Sequence, residues 1–157
     1  MAVQVGQPAP DFTLYNTERQ PVTLSQLRGK PVVLLFFPGA WTSVCTQEMC
    51  MVRDSWHEYE ALAAHVLGIS VDSPFALARF KADHNLPFEL LSDFNKEVSR
   101  LYGTYREDFI LGMKGVSNRA AFVVDPNGIV RYAEVLDNPG NLPDFASLKQ
   151  AVSTAAG

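Results

Sequence analysis

Long apolar runs are missing from this 157-residue chain. No stretch approaches the ~20 residues that span a bilayer, so no membrane helix is expected. Residues 1–10 carry no charged-then-apolar leader, and the expected location is the cytoplasm. An excess of positive charge is also missing: 13 Lys and Arg face 17 Asp and Glu, a formal net charge of -4. A nucleic-acid binder would present a basic face or stripe, and none is expected here. Cysteine is scarce, with two residues. That is too few for a disulfide scaffold, and a reducing cytosol would keep them as thiols. Repeats, low-complexity tracts and linkers are absent too, so a single domain over residues 1–157 is expected. What is present, 47% hydrophobic and 19% charged residues, is the composition of a globular protein rather than a disordered one.

Glycine and proline fall between short periodic segments. "DFTLYNTERQPVTL" alternates apolar residues about a turn-prone centre and predicts an N-terminal hairpin. "PVVLLFF" (31–37) is a continuous apolar run of strand length, as a strand buried on both faces would be. Residues 46–65 predict a helix, with Met49, Val52, Trp56, Tyr59 and Ala63 at spacings of three and four. "HVLGISV" (65–71) predicts a second buried strand, and Ser73-Pro74 opens a helix through Asp83. A short strand in "PFELLSD", a short helix over 96–102, a hairpin turned at 125–128 and a last helix over 144–154 complete the order. Strands alternating with helices, then a hairpin and a helix, predict an α/β domain with a mixed sheet. That order is compatible with a thioredoxin-like fold.

Both cysteines lie in "FFPGAWTSVCTQEMC" (36–50). Cys45 follows a buried strand and opens a helix, and ligand sites gather at the carboxyl ends of strands in such sheets. Free N–H groups and the positive dipole end at a helix start favour thiolate chemistry. Cys50 lies about 140° further round the same helix, with ~7.5 Å of rise, in the sector of Arg53, Asp54 and His57. The two Cα atoms are then ~8.7 Å apart, beyond the ~7 Å that a disulfide tolerates. A static disulfide is disfavoured, and one formed after local unwinding stays open. A zinc site needs about four N or S ligands, and no second close Cys or His joins Cys50 and His57, with His65 and His84 read as surface or core residues. Thioredoxin-type exchange expects two intervening residues, where this chain has four.

Pro38, Thr42 and Cys45 stand as P-x-x-x-T-x-x-C, which resembles the active-site signature of the peroxiredoxins. "CTQEMCMVRD" is similar to the Q-type branch, the bacterioferritin comigratory proteins. "VGQPAPDFTL", "LSQLRGKPVVLLFFPGAWT", "ISVDSP" and "NRAAFVVDPNGIVRYA" extend the resemblance over nearly the whole chain. "FILGMKGVSNRAAF" and "VLDNPGNLPDF" are closer to the one-cysteine, E-type alkyl hydroperoxide reductases. The resemblance implies a thioredoxin-like fold and a thiol peroxidase that uses no flavin, haem or metal. Cys45 would be the peroxidatic cysteine and Cys50 the resolving one. The Thr42 hydroxyl, the Arg119 guanidinium and the Val44 and Cys45 N–H groups would aim at the peroxide oxygens, and Arg119 would hold Cys45 as thiolate. Pro38 would shield the sulfur and shape the loop. Glu48 would order Arg119 or the helix start, and Trp41 would form a pocket wall. A thioredoxin-like dithiol would restore the enzyme, acting as a monomer or homodimer. A one-cysteine peroxidase, a disulfide oxidoreductase and a non-enzymatic redox sensor are the alternatives.

Overall fold

The computed structural model describes residues 2–156. The first hairpin pairs β1 (Thr13–Asn16) with β2 (Pro21–Thr23) in antiparallel register. Asn16 Oδ1 accepts hydrogen bonds from the N–H groups of Glu18 and Gln20, which holds the turn closed. The apolar run becomes β3 (Val32–Phe36), buried at every residue. Its side chains alternate between two cores: Val33 and Leu35 enter one, Val32, Leu34 and Phe36 the other. The two-residue period of a strand requires that division.

Two helices follow, α1 (Ser43–Asp54) and α2 (Trp56–Ala61), and then β4 (His65–Ser70). The continuous helix expected over 46–65 is therefore corrected in three respects. It starts three residues earlier, which places Cys45 inside the first turn. It breaks at Ser55, whose hydroxyl donates to the Met51 carbonyl at 2.9 Å. It ends before Ala63, which is exposed and has a left-handed φ of +53°. Met49, Val52 and Tyr59 do face the core, and Trp56 packs against it.

Next come α3 (Pro74–His84), β5 (Glu89–Ser92) and α4 (Glu97–Leu101). Ser73 Oγ accepts from the Ala76 N–H and Pro74 occupies the first turn, so the expected start of α3 is confirmed. The chain then forms β6 (Tyr105–Asp108), β7 (Lys114–Ser117), β8 (Arg119–Val124), β9 (Val130–Leu136) and α5 (Phe145–Ala156). The β6–β7 hairpin has no clear periodicity and goes unassigned in the sequence reading. It forms a separate two-stranded flap.

The seven-stranded sheet runs β2-β1-β5-β4-β3-β8-β9. β3, β4 and β5 are parallel, while β8 lies antiparallel to β3 and β9 antiparallel to β8. This is the mixed sheet of a thioredoxin-like fold, with the N-terminal hairpin added through β1 to β5. Residues from α1, α2, α3 and α5 fill one core, and Val98 of α4 joins Phe12 and Tyr102 in the other. Among the described residues, no helix is long and apolar enough to cross a membrane.

Gly68 on β4 shows how tightly the first core closes. A Cβ built there would lie 2.6 Å from Leu90 Cδ2, 3.4 Å from Phe37 Cε1 and 3.5 Å from Met49 Sδ. Gly68→Ala is expected to cost about 1–3 kcal/mol through overpacking, read as a lower urea midpoint with an unchanged slope. An unchanged midpoint would show that Leu90 gives way freely.

Candidate active site

β3 delivers the chain to Phe37, whose N–H still donates to the Ile69 carbonyl of β4 at 3.0 Å. Pro38 has no N–H to continue that ladder, and the strand stops there. Pro38 is buried at the foot of the loop. Asp72, at the end of β4, braces the loop from below. Its Oδ2 accepts from the Ala40 N–H at 2.8 Å and from the Ser70 hydroxyl at 2.7 Å. Nothing in the sequence reading singled out Asp72, although a carboxylate just after a buried strand was a visible signal.

Thr42 is the N-cap residue of α1, yet its hydroxyl makes no capping bond. Oγ1 donates to the Gly39 carbonyl at 3.0 Å instead. Its proton is thus committed to the loop, and Thr42 offers lone pairs rather than the donor expected from the sequence. The first N–H groups of α1, on Ser43, Val44 and Cys45, have no preceding helical carbonyl to bond. With no side-chain cap over them, they remain available to an incoming oxygen at the positive end of the helix.

Cys45 is 1% exposed. Arg119, brought from β8 beside β3 and also 1% exposed, donates from Nη1 to Cys45 Sγ at 3.3 Å and to Glu48 Oε1 at 2.6 Å. Its Nη2 donates to the Pro139 carbonyl at 3.0 Å. Glu48 sits one helical turn beyond Cys45 and is fully buried. Arg119 Nε and Glu48 Oε2 have no protein partner. Burial pushes the Glu48 carboxyl up to about 7 against the opposing pull of Arg119, with Glu134 adding a smaller push upward. Burial acts against the Arg119 charge, but Glu48 and Cys45 outweigh it and raise its pKa. A fixed cation therefore lies against the sulfur, with its orientation set from three sides.

A cleft of ≈ 220 Å³ opens beside the buried sulfur and shares Arg119 with it; Cys45 itself does not line it. Thr42, Val44, Phe109, Ile110, Arg119 and Pro139 line it. Phe109 and Ile110 come from the tip of the flap between β6 and β7, which the sequence reading left without an element. Trp41 is not among the lining residues. Its ring packs against Phe80 at 5.4 Å and His84 at 5.8 Å, on α3.

Cys50 faces the same direction as Trp41, away from Cys45. Its Sγ lies 4.0 Å from His84 Nδ1, and both cysteines are free thiols. The histidine at Cys50 is thus His84 from α3. His57, on the exposed surface of α2, plays no part there because the break at Ser55 intervenes. The structure joins Cys45 and Glu48 to Arg119, sets Thr42 and Val44 beside Arg119 along the cleft, and leaves Trp41 and Cys50 on the α3 side; Pro38 is buried at the end of the strand, apart from these contacts.

A buried sulfur with a fixed cation against it, beside a small cleft that the same cation lines, is the setting of thiol redox chemistry, here on a thioredoxin-like sheet. Residues 5–133 match the AhpC/TSA family, and the chain belongs to that family, the peroxiredoxins. It is 41% identical over 132 residues to the putative peroxiredoxin bcp of Coxiella burnetii, covering 83% of this chain and 87% of that protein. It is also 41% identical over 145 residues to alkyl hydroperoxide reductase E of Mycobacterium tuberculosis, covering 90% and 91%. The crystal structure of peroxidoxin BcpB from Mycobacterium tuberculosis superposes with a TM-score of 0.82 at 30% identity, covering 98% of this chain and 96% of that one. The chain spans 65% of the length of a peroxiredoxin of Thermoplasma volcanium, which it matches at 39% identity over 138 residues and 84% of its own length. Both the Q-type and the E-type likenesses read from the sequence thus have named counterparts.

Proposed function

We propose that the chain is a cytoplasmic thiol-dependent peroxidase in which Cys45 reduces hydrogen peroxide and organic hydroperoxides. The observation that carries this reading is the Arg119 Nη1 contact with Cys45 Sγ at 3.3 Å, beside uncapped N–H groups. The Cys45 thiolate attacks the nearer peroxide oxygen, the O–O bond breaks, and the departing alkoxide or hydroxide takes up a proton. Cys45 is left as a sulfenic acid. A free thiol with pKa about 8.5 is already a few per cent ionised at pH 7, so full ionisation gains only about thirtyfold. Most of the acceleration must come from donors aimed at the developing oxygen charge, each worth about 10²–10³. Arg119 and the Val44 and Cys45 N–H groups supply them, while Thr42 accepts the hydrogen of the peroxide. Pro38 closes off the side facing the core, and Glu48 aims the guanidinium.

Cys50 then resolves the sulfenic acid as an intramolecular disulfide. Because its sulfur points at α3, residues 46–50 must unwind first to cross the ~8.7 Å of helix geometry. A thioredoxin-like dithiol reduces the disulfide. The E-type relative favours a second reading, in which an external thiol takes the sulfenic acid directly and Cys50 is a bystander.

A coupled NADPH assay with thioredoxin and its reductase tests both readings. The wild type is expected to turn over peroxide, to lose two hydrogens by mass after stoichiometric peroxide, and to lose all activity as Cys45→Ser. Cys50→Ser is expected to keep the first step and lose thioredoxin-supported turnover. Full activity of Cys45→Ser would refute the peroxidase reading. Full thioredoxin-supported activity of Cys50→Ser would select the one-cysteine reading.

A further inference from the structure

We propose that His84 is the positioning residue for the second half of this cycle: it clasps the loop that leads into the segment that must unwind and the far end of that segment, and so sets how long oxidised Cys45 waits for Cys50. The inference rests on the peroxidase reading above. One residue of α3 grips the chain at two places. Upstream, the Trp41 ring lies 5.8 Å from the His84 ring, and the Phe80 ring braces both, at 5.4 Å from Trp41 and 4.9 Å from His84. Downstream, Cys50 Sγ contacts His84 Nδ1 at 4.0 Å, and Arg53 Nη1 donates to the His84 carbonyl at 2.7 Å. That carbonyl closes α3, where the left-handed Asn85 turns the chain away. It is one of the end carbonyls left free by the helix, at the pole that favours a cation.

Trp41 makes the upstream grip consequential. Its φ is +73°, a region that a bulky residue occupies only when its surroundings compel it. Half of its surface is exposed (50%), and the aromatic contacts with Phe80 and His84 supply the restraint. α1 gains no side-chain cap from Thr42 to hold its first turn independently. Loosening His84 therefore frees the strained loop before Cys45 and the Cys50 turn after it together.

Two reactions compete for the sulfenic acid. In the first, Cys50 sulfur bonds to Cys45 sulfur, the S–O bond breaks, and the hydroxyl leaves with the thiol hydrogen as water. In the second, another hydroperoxide transfers an oxygen to the same sulfur, giving the sulfinic acid and an alcohol. The first needs the segment unwound, whereas the second proceeds with α1 folded. A firm clasp favours the second, and a loose one the first.

His84→Ala removes the ring and keeps the carbonyl that Arg53 uses. It is expected to raise amide hydrogen exchange over residues 46–53, to speed disulfide formation about tenfold, and to raise about tenfold the peroxide needed to reach half sulfinic acid. The first step, peroxide attack by Cys45, is expected to stay within twofold. Trp41→Ala releases the same grip from the other side and is expected to shift all three readouts in the same direction, which keeps the test open should His84→Ala fail to fold. His84→Phe retains the ring and is expected to return toward wild type. Slower disulfide formation in His84→Ala would make the imidazole a base for Cys50 and overturn the clasp, as would unchanged exchange or no rescue by Phe. Exchange needs no reaction at Cys50, so a wild type that forms no disulfide overturns the resolving role and leaves the clasp to be judged separately.

Discussion

Arg119→Met is expected to lower the rate constant for Cys45 with hydrogen peroxide by about 10²–10³, measured by stopped flow on the fully reduced protein. Arg119 is a charged side chain in direct contact with the sulfur, and it also lines the cleft. Its removal takes away a donor that stands in place before the oxygen charge develops, and water in the vacated cleft is a poor substitute because it must reorient. Stability should fall as well. Glu48 and Arg119 form an ion pair at 2.6 Å with both side chains buried, and removing one partner of such a pair costs about 3–5 kcal/mol. Arg119→Lys separates the two effects. It keeps the charge, yet a single ammonium cannot reach Cys45, Glu48 and the Pro139 carbonyl together as the planar fork does. The Lys variant is expected to fold more stably than the Met variant and still to react at least tenfold more slowly than wild type, within the worth of one lost donor. Met-variant kinetics within threefold of wild type would reduce Arg119 to a structural role.

The second large effect concerns Glu48 and pH. Burial raises its carboxyl from the ordinary 4.5 to about 7 in the folded protein. The folded state therefore holds a proton that the unfolded chain has already released between those values. The stabilisation is complete below about 4.5 and is lost as pH rises through about 7, a difference of about 3 kcal/mol. Glu48→Gln mimics the protonated side chain. Because it also leaves Arg119 without its counter-ion, the linkage fixes the change in the difference between the two proteins: it should move by about 3 kcal/mol in the variant's favour from pH 5 to pH 8, in urea unfolding at both values. His65 acts with the opposite sign, since burial lowers its pKa and its contribution is lost as pH falls. Comparing the variant with wild type at each pH cancels that term. A constant difference between the two proteins across the range would show that Glu48 stays ionised throughout.

The legible parts of this protein were those in which local pattern and burial agree. β3 could be read from "PVVLLFF" because a strand buried on both faces has no polar positions. The start of α3 could be read from Ser73-Pro74 because a cap acts on its own first turn. The order of strands and helices, together with the resemblance around Pro38, Thr42, Cys45 and Arg119, carried the fold and the center of the site. The end of the long helix could not be read in this way. Ser55 and Ala63 fit a helical spacing, and the chain leaves the helix there because β4 must return to the sheet beside β3. The flap escaped notice for a related reason: a two-stranded ribbon outside the main sheet imposes no alternating pattern on its residues.

By itself the sequence determined which groups the reaction can use: one cysteine at a helix start, one arginine on a late strand, and a second thiol five residues on. Helix geometry alone set the separation of the two cysteines, since rise and rotation per residue do not depend on neighbours. Tertiary structure decided where the side chains of this segment point. It aimed the Thr42 proton at Gly39, buried Glu48 with Arg119, and turned Trp41 and Cys50 toward His84. Each of these outcomes depends on partners 34 or more residues away, apart from the Thr42 turn. Such contacts depend on how the sheet stacks its helices, and periodicity within one segment carries no record of them.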